Sequence, residues 1–402
     1  MIYRYKTTLC SLLESLKQLS LKPERLKDSL MLQECLIKKI MYIESRIRRA
    51  RKQLKEMKQA FSEQRFNKHN ATKIKNKLDA VEYCINDYQR LLCYFRTIGD
   101  GLAFLYIDKW NLKPFVFKEG PGFISGKKGL LFEKQCLRYA STHGVPAVLN
   151  DITNVLRYGD ITLPKYGIPR VVELKSGHCR NQRIKRQADQ IRMIQQYILN
   201  DEAAELPNYS RVGDNLSGKF KHVRRAVRTP DTNHMHKLNR LIADSSGCDM
   251  SYADVEDGVR YIVARQFSDK KATEYFGGYD VPIVFMLNAS KCAWSAYYPF
   301  TLSIHDPKDV FGFMAGEYVL MVIVNLDYVV NFFSSKGYSV VVLNSPEFFL
   351  EVKCNDMRFM VSRHFFGRVA YEFLSLKWVL EQSLAMFEEA REKGSVSQIV
   401  SK

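Results

Sequence analysis

The sequence predicts an α/β protein whose first quarter is a helical hairpin and whose remainder alternates strands and helices. Three observations predict it. Two apolar repeats, Leu36 to Phe61 and Ile74 to Phe95, step by four and three and read as paired helices. Across residues 129–199 the periodicity gives helix, strand, strand, strand, helix. From about Val259 the chain shows short β-branched runs and then a long amphipathic helix.

The 402 residues are enough for two or three domains with cores of their own. A hydrophobic content of 46% and a charged content of 26% are ordinary for a soluble globular chain. The net charge of +18 is not ordinary. It favours a polyanionic partner, nucleic acid ahead of an anionic membrane. Nine cysteines lie scattered with no CxxC pair. That argues against a disulfide framework or a zinc ribbon, and for reduced thiols in a cytoplasmic protein. The N-terminus lacks the apolar stretch of a signal peptide. The most apolar later run, Tyr318 to Phe333, is short and interrupted by Asn325 and Asp327. A soluble protein with no membrane partner is expected.

Leu9, Leu12, Leu13, Leu16 and Leu19 mark a first amphipathic helix over residues 5–21, ended at Pro23. The seam Leu36, Ile40, Ile43, Ile47, Ala50, Leu54, Met57, Phe61 is followed by a polar break at 62–72. A second seam runs Ile74, Leu78, Val81, Ile85, Tyr88, Leu92, Phe95. An antiparallel hairpin satisfies both seams in one chain, and a coiled-coil homodimer through these helices is the alternative. Between Leu36 and Phe61 nine basic residues face two acids, Glu44 and Glu56. This face is either a solvated exterior or a phosphate-contacting arm. Gly99-Asp100-Gly101 is expected to break the second helix, and 103–128 to form a strand-and-loop connector.

A helix is expected over 129–143, ended by Gly144. Glu133 falls within its apolar stripe, and a carboxylate leaning inward needs a partner. Val145 to Asn150 reads as a first strand, with Asp151 in the turn after it. The run 158–177, YGDITLPKYGIPRVVELKSG, then concentrates the chemistry. Asp160 heads one strand, Pro164 to Gly167 turn the chain, and Val171 to Lys175 form the next. Such a hairpin brings Asp160 beside Glu173, with Glu173 and Lys175 on one face and Leu174 on the other. Two hard carboxylates suit Mg²⁺, and a lysine beside the metal can position an attacking water. Residues 181–199 follow as a helix with Ile184, Ala188, Ile191, Ile194 and Ile198 buried.

The set Asp160, Glu173, Lys175 between helices resembles the PD-(D/E)XK nuclease superfamily over about residues 128–200. Gly159 stands where the family motif has proline. Asp/Glu-x-Lys occurs five times in the chain, but only at Glu173 is it joined to an upstream strand aspartate and a following basic helix. The strongest competitor, Glu351-Val-Lys353, reads as a plain hairpin with a salt-bridged face. The resemblance implies a restriction-endonuclease-like mixed-sheet core and phosphodiester hydrolysis. It implies Mg²⁺ (or Mn²⁺) on Asp160, Glu173 and the Leu174 carbonyl, with Glu133 as a further ligand. Lys175 would orient the water and Gln187 would contact the scissile region. Arg183, Lys185, Arg186 and Arg192 would meet phosphates.

Residues 200–245 form a basic stretch with Lys219, Lys221, Arg224, Arg225 and Arg228, read as an insertion. His234-Met-His236 lacks the acidic or cysteine partners of a metal site. Strands are expected at 260–264, 282–287, 293–298, 319–324 and 339–343, one completing the nuclease sheet, with a helix over Val369–Glu392. No Walker loop, dinucleotide glycine pattern or Ser-His-Asp logic is present. The expected division is 1–98 hairpin, 99–270 nuclease core and 271–402 α/β C-terminal region. The expected function is a metal-dependent nuclease acting on nucleic acid, with DNA favoured by superfamily base rates, and with an antiviral effector waiting on a regulatory partner as one setting. The alternative is a non-catalytic nucleic-acid-binding or scaffold protein with a nuclease-like core.

Overall fold

Apolar residues repeating every three or four positions need a facing surface, and the chain supplies one by folding back on itself. The computed structural model describes every residue except positions 64–65, 119, 121, 175–181, 201, 204–205, 208–221, 224–228, 267–274, 276, 280, 295–296, 344, 346–347, 355–356, 393–397 and 402. Helices α1 (Lys6–Leu21), α2 (Leu26–Glu63) and α3 (Lys68–Tyr106) open the chain. Arg46 meets Tyr88 and Lys58 meets Glu82, so α2 and α3 run antiparallel. Leu36, Ile40, Ile43 and Ile47 are fully buried. Towards the tip, Leu54, Met57, Phe61, Ile74, Leu78 and Val81 are only half-buried. Asn67 caps α3, its side chain accepting from the Asn70 amide.

Helix α3 does not break at Gly99-Asp100-Gly101. A Cβ on Gly99 would stand 2.1 Å from the Ile152 carbonyl oxygen, so this glycine admits a neighbouring loop against the helix. Residues 98–103 are all buried, and that packing overrides the poor helix propensity of two glycines, about 1 kcal/mol each. The expected strand-and-loop connector is helical too. It contains α4 (Lys109–Leu112), capped by Asp108, and a 3-10 turn at Lys113–Phe117.

Helix α5 (Leu130–Thr142) is followed by β1 (Val148–Leu149), a 3-10 turn at Asn150–Ile152, β2 (Ile161–Lys165), β3 (Ile168–Val172) and α6 (Gln182–Asn200). The order helix, strand, strand, strand, helix is present. The sheet order is β1-β2-β3 and both pairings are antiparallel, so among the described residues the sheet is not mixed and no later strand joins it. Gln33 of α2 occupies the edge of β1. Its Nε2 donates to Ala147 O at 2.8 Å and its Oε1 accepts from Leu149 N at 2.9 Å, as a paired strand would. On α6, Ile191, Ile194 and Ile198 are buried, whereas Ala188 is exposed.

The chain divides into two compact units, Met1–Gln195 and Gln196–Lys402. Hairpin and three-stranded sheet therefore share one unit, rather than parting at position 98. In the second unit β4 (Glu202–Ala203) pairs with β5 (His222–Val223), and α7 (Met235–Asp244) leads into β6 (Met250–Glu256) and β7 (Val259–Ala264). With β8 (Pro282–Met286) and β9 (Val319–Asn325) they form an antiparallel sheet ordered β6-β7-β9-β8. A further sheet contains β10 (Ser339–Val342), β11 (Phe348–Cys354), β12 (Met357–Ser362) and β13 (Gln398–Ser401). The strand expected at 293–298 does not form, since 291–293 are a turn. The expected C-terminal helix is two helices, Arg363–Tyr371 and Leu376–Glu392. Phe373 takes a left-handed φ of 55°, and Ser375 Oγ accepts from Trp378 N to cap the second helix. Glu351 pairs with Lys353 at 3.0 Å and Arg358 at 3.6 Å, the hairpin face expected of this segment. Lys219, Lys221, Arg224, Arg225 and Arg228 lie outside the described residues.

Candidate functional site

The β2–β3 hairpin turns on two residues, Tyr166 and Gly167, with φ of 51° and 75°. Two positive φ angles are the primed-turn geometry that fits the right-handed twist of paired strands. The register sets Ile161 opposite Val172, so the next positions, Asp160 and Glu173, also face each other. Asp160 N donates to Val172 O at 2.9 Å, and Leu174 N donates to Asp160 Oδ2 at 2.8 Å. This last bond ends the ladder. The Leu174 amide turns to the Asp160 carboxylate, so β3 stops at Val172, and Glu173 lies just beyond the strand, half-buried. Gly159, in place of the family proline, has φ 71°, and a Cβ there would meet Val171 Cγ1 at 2.3 Å. Proline, locked near −65°, does not fit that backbone.

Asp160 is not held by Glu173 and Lys175 alone, as the sequence suggests. It belongs to a cluster around Lys127. The Lys127 ammonium donates to Asp151 Oδ2 at 2.7 Å and Asp160 Oδ1 at 2.8 Å, and lies 2.9 Å from Glu133 Oε1. The three carboxylates come from the first turn of α5, the 3-10 turn after β1 and the start of β2. Burial opposes the charged form of Lys127. The Asp151, Asp160 and Glu133 carboxylates outweigh it and hold the ammonium well above its usual pKa. Glu133 is 2% exposed, and burial pushes its carboxyl up despite the opposing pull of Lys127. Its second oxygen, Oε2, is buried without a hydrogen-bond partner.

The loop that presents Lys127 is tied to the helical hairpin. Glu44, fully buried on α2, accepts from Ile124 N at 3.0 Å and Ser125 N at 2.7 Å. Arg96 of α3 donates to Gly122 O at 2.7 Å and pairs with Glu44 at 3.3 Å. Arg48 donates to Ser125 O, and the Arg48 and Arg51 guanidiniums lie 5.6 and 5.7 Å from the Phe123 ring centre. Part of the basic face of α2 is therefore a bracket for this loop. On the other side, Asn150 holds the 150–162 segment through Tyr158 O at 2.6 Å and Thr162 Oγ1 at 2.8 Å.

Other expected site residues are placed as follows. Lys175 and the Arg183 side chain lie outside the described residues. The Leu174 amide, rather than its carbonyl, meets Asp160. Gln187 is half-buried on α6, and among the described residues no hydrogen bond joins it to the cluster. Lys185, Arg186 and Arg192 are exposed there, with Arg192 3.8 Å from Asp189. His234 Nε2 lies 3.4 Å from Glu256, an ion partner rather than a metal ligand set. Among the described residues no three His, Cys, Asp or Glu side chains stand ready to hold a metal ion. Carboxylates gathered round an ammonium at 2.7–2.9 Å are wider apart than the ~2.0–2.1 Å that Mg²⁺ demands.

Sequence reasoning missed Lys127 and Glu44 and ranked Asp151 as a turn residue. The available signals were faint. Lys127 sits between Gly126 and Gly129, next to a predicted helix start. Glu44 is an acid in a basic run, four residues after Ile40 and three before Ile47, hence on the buried stripe. Compared with protein-family models, curated proteins and solved structures, the chain finds no match.

Proposed function

We propose that the chain is a metal-dependent nuclease that hydrolyses phosphodiester bonds, with DNA as its substrate and internal cleavage as its mode. What carries this reading is the meeting of Glu133, Asp151 and Asp160 from three elements, with Asp160 opposite Glu173 on a strand hairpin. A divalent cation fits the donor set. All donors are hard carboxylate oxygens, three negative charges face one ammonium, and Glu133 Oε2 is buried without a partner. Glu133, Asp151 and Asp160 would hold the ion, with Glu173 adjacent. When bound, it supplies Lewis-acid polarisation of a phosphate and a more acidic water.

The chain's own residues do the rest. The Asp160 side chain fixes the Leu174 amide and so sets where the segment after β3 begins. The exposed Lys185, Arg186 and Arg192 on α6 offer sequence-independent phosphate contacts. Lys175, two positions past Glu173, is the candidate to orient water.

The test is cleavage of linear duplex, circular duplex and single-stranded DNA, and of RNA, with Mg²⁺, Mn²⁺ or EDTA, wild type beside Asp160→Asn. Cutting that needs metal and Asp160 supports the reading. Cutting that survives Asp160→Asn sinks the site. A second reading, a nucleic-acid-binding protein with a nuclease-like core, is favoured by one observation: the Lys127 ammonium makes the cluster an internal ion network. Salt-sensitive binding with no cleavage under any metal selects it.

A further inference from the structure

We propose that Lys127 is a resident counter-cation which a divalent cation displaces, so that the site alternates between a lysine-locked and a metal-loaded state. The proposal rests on the metal-dependent reading above and names how that site is regulated. Three carboxylates carry three negative charges, and one ammonium returns a single positive charge. A charge excess of two remains, the value a divalent cation neutralises. The lysine also leaves its seat incompletely matched. It reaches Oε1 of Glu133, while Oε2 of the same buried carboxyl has no partner. In a low-dielectric setting an unpaired carboxylate oxygen is costly, and a small ion with its waters can reach what a single ammonium cannot.

The geometry separates the two states. Ammonium contacts of 2.7–2.9 Å hold the oxygens too far apart for Mg²⁺, whose ligands sit at ~2.0–2.1 Å. Loading therefore requires Lys127 to leave and the carboxylates to close in. The lysine is on a segment able to swing. Gly126 before it takes φ 88°, and Gly129 follows two residues on. What holds the segment in place is the hairpin: Glu44 on the Ile124 and Ser125 amides, Arg96 on Gly122 O and Arg48 on Ser125 O. Glu44 is thus a positioning residue for Lys127, and the helical hairpin sets how firmly the lock is closed.

The experiment is Mn²⁺ titration by calorimetry, with melting temperature alongside, on full-length wild type, Lys127→Met and Glu44→Gln. Removing the competing ammonium should tighten Mn²⁺ binding by about tenfold or more, since a unit charge within hydrogen-bond distance is worth several kcal/mol even in a screened site. The Lys127→Met melting temperature should be depressed without metal and restored by Mn²⁺. Binding no tighter than wild type, or a melting temperature that Mn²⁺ fails to raise, overturns the proposal. Where Lys127→Met folds only with Mn²⁺, the proposal stands. Where it does not fold under either condition, Glu44→Gln decides. Tighter Mn²⁺ binding in that variant supports the lock, and unchanged binding overturns it. Cleavage is scored separately. Wild-type cutting without tighter binding in the variants removes the lock and leaves the nuclease. Tighter binding without cutting keeps the lock and removes the nuclease.

Discussion

Asp100, in the middle of a long helix, grips Asn154 by both its backbone and its side chain. Asp100 Oδ1 accepts from Asn154 N at 2.6 Å, and Oδ2 accepts from Asn154 Nδ2 at 2.9 Å. Oδ1 also accepts from Val155 N at 2.9 Å. This carboxylate fastens the segment between the Asp151 turn and the β2 strand to α3, and so sets the distance at which Asp151 and Asp160 face Lys127.

Asp100→Ala should therefore destabilise the protein by about 3 kcal/mol or more, because it strands buried donors that lose their acceptor. Urea unfolding of the variant beside wild type measures this. An effect below about 1 kcal/mol would mean that water replaces the carboxylate at no cost.

The same residue gives a pH dependence. Burial, against the opposing Asn154 and Val155 hydrogen bonds, lifts the Asp100 carboxyl from its ordinary 3.8 to about 6. Between those values the unfolded chain has released the proton and the folded chain still holds it. The unfolded state binds fewer protons there, so the contribution of Asp100 to stability falls as pH rises from about 4 to about 6. At ~1.36 kcal/mol per pH unit, wild type should lose roughly 3 kcal/mol relative to Asp100→Asn across that window. Parallel stability curves for the two proteins would refute the assignment.

Glu44→Ala should release the loop bearing Lys127. Hydrogen-exchange protection at Ile124 and Ser125 should collapse, since both amides lose their acceptor. The hairpin seam, packed through Ile40, Ile43 and Ile47, should keep its protection. Loss of protection throughout α2 would show instead that Glu44 supports the helix pair itself.

Gly159→Pro, which recreates the family's Pro-Asp pair, should harm rather than help. Proline cannot take φ 71°, and a Cβ at this position meets Val171 at 2.3 Å. A stability loss of about 3 kcal/mol or more is expected, against a smaller loss for Gly159→Ala, which still bears the Cβ clash. A neutral Gly159→Pro would mean that the hairpin has another accessible approach to Asp160.

Asp160→Asn should reduce cleavage by about a hundredfold or more, the usual size of removing a group that acts in the transition state. Lys185→Ala with Arg186→Ala should weaken nucleic-acid binding evenly across sequences. The salt slope should fall by about one for each phosphate contact removed. An unchanged slope would take α6 out of the contact surface.

Local pattern alone determined a good deal of this protein. The four–three repeat settled α2, α3 and their pairing, because an apolar stripe of that period has only one way to be covered. The alternation and turn residues around Pro164 to Gly167 settled the β2–β3 hairpin, and with it the facing of Asp160 and Glu173. The identity of Glu351-Val-Lys353 as a salt-bridged hairpin face was equally legible. Tertiary structure decided the rest. Gly99 and Gly101 stay helical because the Ile152 loop needs the space. The C-terminal helix breaks because Ser375 caps a new start. Above all, the partner of Asp160 is Lys127, thirty-three residues upstream, brought in by a loop that Glu44, Arg96 and Arg48 hold from the hairpin. Periodicity records which side of a segment is buried. Which charged groups from distant segments meet in that burial is fixed only when the segments pack.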